Sequence, residues 1–408
     1  MIAIVGAGAA GLATAIFAAR RGARGPIVVF DGAARPGAKI LVSGGSRCNV
    51  TNATVGERDF NGSAPHLVRR VLRGFGVAET VAFFRQIGVA LHEEEHGKLF
   101  PDANRSRVVL EALLGEAQRL GVELRAAQRV ERVEARADGY RVQTTAGECL
   151  AGRVVLATGG LSLPKTGSDG QGLQLAAAFG HSIVPTTPAL VPLVLAGEFH
   201  RRLSGVSHEA ALVVRAGGRV LARRTGSLLW THFGVSGPLV LDVSRAWLRA
   251  RLEGRDPVVE AALVPALDCD ALERELLALA ATSPRLAVGR ALRRWLPNAV
   301  AEALCDEQRV APDRALGQLR REDRRALSTA IGRRVLPIVD SRGYAFAEAT
   351  AGGVPLAELD TATMESRRRG GLFLVGEMLD VDGRIGGFNF QWAWSSAWVA
   401  AGGLARGL

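Results

Sequence analysis

The chain begins MIAIVGAGAAGLATAIFAARRG, and this opening limits what it can become. Gly6, Gly8 and Gly11 stand in G-x-G-x-x-G spacing between an apolar run, Ile2 to Val5, and an Ala-rich stretch from Ala9 to Arg21. A second apolar run, Pro26 to Phe30, ends on Asp31, an acid about 20 residues past the last glycine. Strand, glycine turn, helix, strand and acid together predict the first βαβ unit of a dinucleotide fold. Gly6 permits the tight turn, and Gly8 lets backbone amides approach a pyrophosphate. Gly11 lets the helix pack close to the strand. The helix N-terminus around Ala10 then offers unpaired N–H groups to the phosphates. Asp31 is placed to accept hydrogen bonds from a ribose diol.

The opening unit alone does not separate NAD from FAD. Three further stretches favour FAD. Gly37 to Asn52, GAKILVSGGSRCNVTN, follows Asp31 and offers turn amides and short polar side chains. Lys39, Gly44, Gly45, Arg47, Cys48 and Asn49 are its candidate cofactor contacts. Val154 to Gly160, VVLATGG, reads as a buried strand ending in small residues, so that Thr158, Gly159 and Gly160 can pass close beside a cofactor. Phe373 to Trp398 reads as a strand ending at Gly376-Glu377, where a carboxylate can meet ribityl hydroxyls. Gly386 and Gly387 then precede a helix starting at Phe388 and Asn389, whose N-terminus can face the flavin N1–C2=O edge. NAD needs no third site at the far end of the chain; FAD does.

The same segments resemble the BaiN-like bacterial flavoproteins, a branch of the glutathione-reductase-type FAD superfamily. The shared motifs are ILVSGGSRCNVTN, ATGGLSLPKTGSDGQGLQLA, PALVPL, THFGVSGP, TAGGVPL and GEMLDVDGRIGGFNFQWAWSSAWVAAGG, spread over nearly the whole length. Members usually carry Gly where Ser46 stands, Arg where Ala38 stands and often Tyr where Phe388 stands. The resemblance implies an FAD-dependent oxidoreductase with its substrate region inserted in the cofactor domain. It also implies that a backbone group near Val130 holds adenine. Some members are labelled aminoacetone oxidases, and one is a bile-acid C=C reductase.

The expected architecture is α/β. A Rossmann-like FAD-binding domain is formed by residues 1–187 and 347–408. An inserted antiparallel, β-barrel-like domain takes residues 188–266 and 335–346, and a helical subdomain takes residues 267–334. A Pro-rich hinge at Pro185, Pro188 and Pro192 marks the change of character. No run of 18 apolar residues suggests a membrane span. Cys48, Cys149, Cys269 and Cys305 form no C-x-x-C, so neither a disulfide redox centre nor a metal site is expected, and free thiols suit the cytoplasm. The net charge of +11 invites a nucleic-acid reading. The basic residues are almost all Arg, scattered without a block, which fits a compositional bias, so a nucleic-acid partner is not expected.

Lysine is rare here, and two of the few, Lys39 and Lys165, fall inside the flavin motifs. A compact ammonium at Lys39 could stabilise the anionic edge of reduced flavin or meet a phosphate. In the insert, Thr231-His232 in WTHFGVSGP is the most polar glycine-containing stretch, and His232 is the candidate proton donor or acceptor. The alternative is that it satisfies backbone groups in a turn. No second G-x-G-x-x-G follows a strand, so either NAD(P)H visits the flavin transiently or a substrate reduces it and O₂ reoxidises it. The family resemblance implies, of these, NAD(P)H-driven reduction of an activated C=C bond in an organic substrate. A flavin oxidase or dehydrogenase using O₂, and an RNA-modifying flavoenzyme, stay open. The sequence sets no oligomeric state.

Overall fold

Residues 1–406 are described by the structure, a computed structural model. The backbone divides into two compact units, Met1–Pro188 with the segment from Glu348 onward, and Ala189–Ala347.

The first unit is built on the strand Ile2–Val5, paired in parallel with Ile27–Phe30 on one side and Arg153–Leu156 on the other. Glu123–Arg125 and Leu372–Leu374 extend this parallel core, and two short antiparallel strands, Glu365–Ser366 and Leu359–Asp360, finish one edge. Every residue of the first two strands is buried, which explains their unbroken apolar runs: a parallel sheet is covered on both faces. The helix Ala9–Arg20 covers one face and packs on the C-terminal helix Phe388–Ala405. Phe17 anchors that contact, its ring 5.1 Å from Phe75, 4.8 Å from Phe83 and 5.1 Å from Trp398. Two three-stranded antiparallel sheets accompany the parallel core, one of Val130–Arg136, Gly139–Thr144 and Gly147–Ala151, the other of Thr51–Asn52, Lys98–Pro101 and Leu91–Glu94.

One expected loop is partly helical. Ala38–Ser46 forms a helix that breaks at Ser43, Gly44 and Gly45. Ile40 supplies a buried anchor for the first turn. The glycines then turn left-handed, at φ +53° and +67°, and Ser46 and Cys48 follow at +65° and +62°. Four such residues in five undo a helix whatever the propensity of its start. Ser46 occupies this region without the freedom of the glycine that resembling proteins carry.

The second unit is an antiparallel sheet of seven strand segments. Ser207–Ala216 and Arg219–Thr231 form its long hairpin, turned through Gly217 and Gly218 at φ +55° and +75°, the geometry a two-residue hairpin loop demands. The outermost segments, Arg334–Leu336 and Ile338–Ser341, are successive pieces of one stretch interrupted at Pro337. The first piece pairs with Val258–Ala262 and the second with Leu193–Leu195, at the opposite end of the sheet. The sheet therefore closes on itself through a single segment, as a small barrel. Pro337 sits at the changeover, where its missing N–H costs no ladder bond. The helices Cys269–Thr282, Asn298–Glu307 and Arg321–Gly332 share one hydrophobic core with this barrel: Leu212, Val214 and Trp230 belong to the same cluster as Leu272, Leu276, Leu304 and Leu327.

Candidate functional site

The glycine turn is fitted to its strands atom by atom. Gly6 has φ +105°, and a Cβ there would lie 2.5 Å from the Ala157 carbonyl oxygen. At Gly11 a Cβ would lie 1.8 Å from the Gly6 oxygen. These two glycines serve the packing of turn, helix and neighbouring strand. Gly8 is different: a Cβ built on it meets nothing within 4 Å. The space beside its Cα is open at the N-terminus of the helix Ala9–Arg20, where the first-turn amides have no helical partner. Asp31 reaches back to this turn. Its Oδ2 accepts from the Ala7 amide at 2.7 Å and its Oδ1 from Ala33 at 2.8 Å. The carboxylate thus pins the loop while each oxygen keeps a lone pair for a ribose.

Distant segments converge on this turn. Gly376 lies against Ala10, with 2.7 Å between a Cβ built on it and the Ala10 methyl carbon. Its carbonyl accepts from Trp392 Nε1 at 3.1 Å and its amide donates to Ser396 Oγ at 3.0 Å, so the C-terminal helix fixes it from behind. Glu377 then meets Lys39: Nζ donates to Oε2 at 2.7 Å and to Ser162 Oγ at 2.9 Å. Ser162 Oγ donates to Glu377 Oε1 at 2.6 Å, and the Thr350 amide donates to the same oxygen at 3.0 Å. Gly159, at φ +74°, borders this cluster, and its missing Cβ would lie 3.7 Å from Lys39 Nζ. Gly160 packs on Thr350, and Thr158 fills the space that Gly172 leaves.

A second convergence joins the SGG segment to the C-terminal helix. Gly386 and Gly387 have φ +124° and +91°, and Gly387 is the helix N-cap. Asn52 Nδ2 donates to the Gly386 carbonyl at 3.1 Å. Asn49 lies beside Gly387, and its Oδ1 is a buried acceptor without a hydrogen-bond partner. A buried orphan acceptor beside a helix N-terminus invites a donor from outside the chain.

Several expected contacts are engaged elsewhere. Arg47 pairs with Glu94 at 2.6 Å and lies 4.1 Å from the centre of the Phe100 ring. Asn389 clamps Gly383 through both ends of its amide, at 2.8 and 3.0 Å. Phe388 is fully buried against Phe60. Cys48 is fully buried, and burial pushes its thiol up to about 12, so it is a neutral packing group at physiological pH. Val130 is buried at the start of its strand, beside an irregularity in the ladder. Lys165 is exposed on a short turn, Pro164–Thr166. In the second unit, His232, exposed, and Phe233, half-buried, form the two-residue turn between Thr231 and Gly234. The backbone of His232 also takes part in a hydrogen bond with the His200 side chain.

Sequence reasoning missed Ser162 and Thr350. Both lie in quoted motifs, but their partners are up to 215 residues away, and no local spacing announces such a meeting. The residues present fit FAD: an open glycine turn on a helix N-terminus, an acid with spare lone pairs and a buried orphan acceptor at the second helix. Among the described residues no cluster of His, Cys, Asp and Glu could hold a metal, and no helix is long and apolar enough to cross a membrane.

The profile described as the HI0933-like protein Rossmann domain matches residues 1–403. Over 405 residues the chain is 32% identical to the 3-dehydro-bile acid delta(4,6)-reductase of Clostridium scindens, covering 99% of each. It is 35% identical over 401 residues to the ribosomal RNA dihydrouridine synthase of Escherichia coli, covering 98% of this chain and 96% of that one. Among solved structures, a quinol-fumarate reductase aligns with TM-score 0.53 at 17% identity, covering 99% of this chain and 70% of that one. The 3-ketosteroid delta1-dehydrogenase of Sterolibacterium denitrificans aligns with TM-score 0.51 at 13% identity, covering 99% of both. These two likenesses are of fold.

Proposed function

The chain belongs to the HI0933-like Rossmann family, as a BaiN-like FAD-dependent oxidoreductase, and from that premise we propose that it reduces a C=C bond conjugated to a carbonyl, with NAD(P)H as reductant. The observation that carries the reading is a chemistry common to two relatives that align end to end. One is named for reducing the delta(4,6) system of a 3-dehydro bile acid, the other for making dihydrouridine in ribosomal RNA. Each name describes adding two hydrogens across a C=C bond conjugated to a carbonyl.

The balance is one alkene, one NAD(P)H and one proton in, and one saturated carbonyl compound and NAD(P)⁺ out. Bound FAD supplies the two-electron carrier between nicotinamide and alkene. The chain's residues do the rest. Gly8 and the helix behind it hold the pyrophosphate, and Asp31 keeps that turn in shape while meeting the ribose. Asn49 accepts from the isoalloxazine, and the N-terminus of Phe388–Ala405 stabilises its electron-rich edge. His232 is the proposed donor of the proton to the carbon that does not take the hydride.

A second reading makes the substrate a uridine within RNA. The net charge of +11 and the names of the E. coli and Haemophilus influenzae relatives favour it. One experiment tests both. The purified protein is reduced anaerobically with NADH or NADPH, and its visible absorption is followed while a delta(4,6)-3-ketosteroid or a ribosomal RNA transcript is added. Bleaching followed by recolouring with one of the two supports the reaction class and selects its substrate. Failure of both nicotinamides to bleach the flavin, or recolouring by O₂ alone, rejects it.

A further inference from the structure

We propose that Glu377 and Ser162 form a counter-ion clamp on Lys39, which sets how much of the Lys39 charge reaches the FAD and so tunes its reduction potential. Sequence reading gives Glu377 to the ribityl hydroxyls. In the structure its Oε2 is taken by Lys39 and its Oε1 by both Ser162 and Thr350, at distances of 2.6 to 3.0 Å. Ser162 is completely buried and touches both charges: its hydroxyl accepts from Lys39 and donates to Glu377. Its own amide donates to Thr350 Oγ1 at 3.0 Å, which holds its position. The Lys39 and Glu377 side chains are only 24% and 18% exposed, so solvent and salt screen them weakly.

The clamp ties together three segments that carry flavin motifs: the one entering the SGG turn, the ATGG turn and the GE turn. Lys39 spends two of its three N–H groups on Glu377 and Ser162. Beside it Gly159 withholds a side chain. A lysine suits this task better than an arginine, because one small ammonium can serve two protein acceptors and keep a donor for a third. Reduced flavin carries more negative charge than oxidised flavin, so a nearby cation favours reduction. A carboxylate bound to that cation attenuates the effect. A potential between the two extremes follows from the pair, whichever substrate the enzyme reduces.

The test is equilibration of the FAD-loaded protein with dyes of known potential in the absence of oxygen. The readout is the ratio of reduced to oxidised flavin at one fixed poise. K39M lowers this ratio about tenfold, which is about 30 mV for a two-electron couple. E377Q raises it by a similar factor. K39R stays within threefold of the parent, and S162A, which keeps both charges, shifts less than either charge variant. The double variant K39M/E377Q leaves no lone charge and returns to within threefold of the parent. It decides the matter if E377Q alone does not retain FAD. Shifts of K39M and E377Q in the same direction, a K39M ratio within threefold of the parent, or a double variant as low as K39M overturn the proposal, leaving the cluster a structural clamp.

Discussion

The two units write their chemistry differently. In the first, the candidate site is made mostly of backbone: glycines at Gly6, Gly11, Gly376 and Gly387 occupy places where a Cβ would strike a neighbour within 3 Å. In the second, the candidate chemistry is one exposed side chain, His232, on a hairpin turn where Gly234 serves the strand pairing. Backbone constraints are legible because a cofactor of fixed shape demands them. Side chains that meet a substrate answer to that substrate alone. The first unit thus carries its candidate site in backbone geometry and the second in a side chain.

The largest effect tests the backbone half of this contrast. Gly11→Ala puts a methyl group 1.8 Å from the Gly6 oxygen. Turn and helix must separate, at a cost of several kcal/mol, beyond ordinary point mutations. The expected product is colourless, with a sharply lower unfolding temperature. A yellow G11A protein that melts like the parent would show that the turn tolerates movement and is not set by packing.

His232→Ala tests the other half. A lost general acid lowers kcat about a hundredfold or more, while FAD content and melting temperature stay at parent values. The substrate recoloration assay and the visible spectrum check this together. Unchanged turnover would make His232 a turn residue, and loss of FAD would show that it serves the cofactor unit.

Gly8→Ala sharpens the comparison inside the first unit. Its methyl group meets nothing in the protein, so stability changes by less than about 1 kcal/mol. The FAD dissociation constant nevertheless rises about tenfold, because the backbone must approach the pyrophosphate closely. Parallel melting and flavin-fluorescence titrations separate the two effects. Equal losses in both would place Gly8 with Gly11 as a packing glycine.

How far the sequence reached follows the same division. The opening βαβ unit was legible because periodicity, glycine spacing and the terminal acid all point one way. The closed sheet of the insert was legible as antiparallel and barrel-like from its alternating strands. Its closure through Pro337 was not, since one segment pairing at both ends of a sheet leaves no local mark. Asp31 was legible as an acid at the right distance, but its grip on Ala7 was not. Glu377 was placed beside the cofactor by its motif, whereas its partnership with Lys39 depends on a contact across 338 positions. The helical start at Ala38 was hidden because the SGG turn sets the character of the stretch, although Ala38 to Val42 ahead of it form a turn of helix with Ile40 buried.

The last comparison is of buried thiols, one in each unit. Burial raises Cys48 to about 12 and Cys305 to about 11. An unfolded thiol titrates near 8.5. The fold favours the protonated form, so this contribution is fully present below that pH and is lost as pH rises toward the folded value. Between about 9 and 11 each thiol removes about 1.4 kcal/mol of stability per pH unit. Above about 11 only Cys48 still does so. Urea unfolding of the parent, Cys48→Ala and Cys305→Ala at pH 8 and pH 10 checks the slopes. Each substitution costs some packing at both pH values and makes the alkaline loss shallower. Iodoacetamide at pH 8 gives an independent reading: the half-buried Cys149 and Cys269, whose thiols burial also raises, are labelled slowly, while Cys48 and Cys305 stay protected until unfolding. Labelling of native Cys48 would mean that the SGG segment opens, and its four left-handed residues would then be a hinge in place of a fixed cradle.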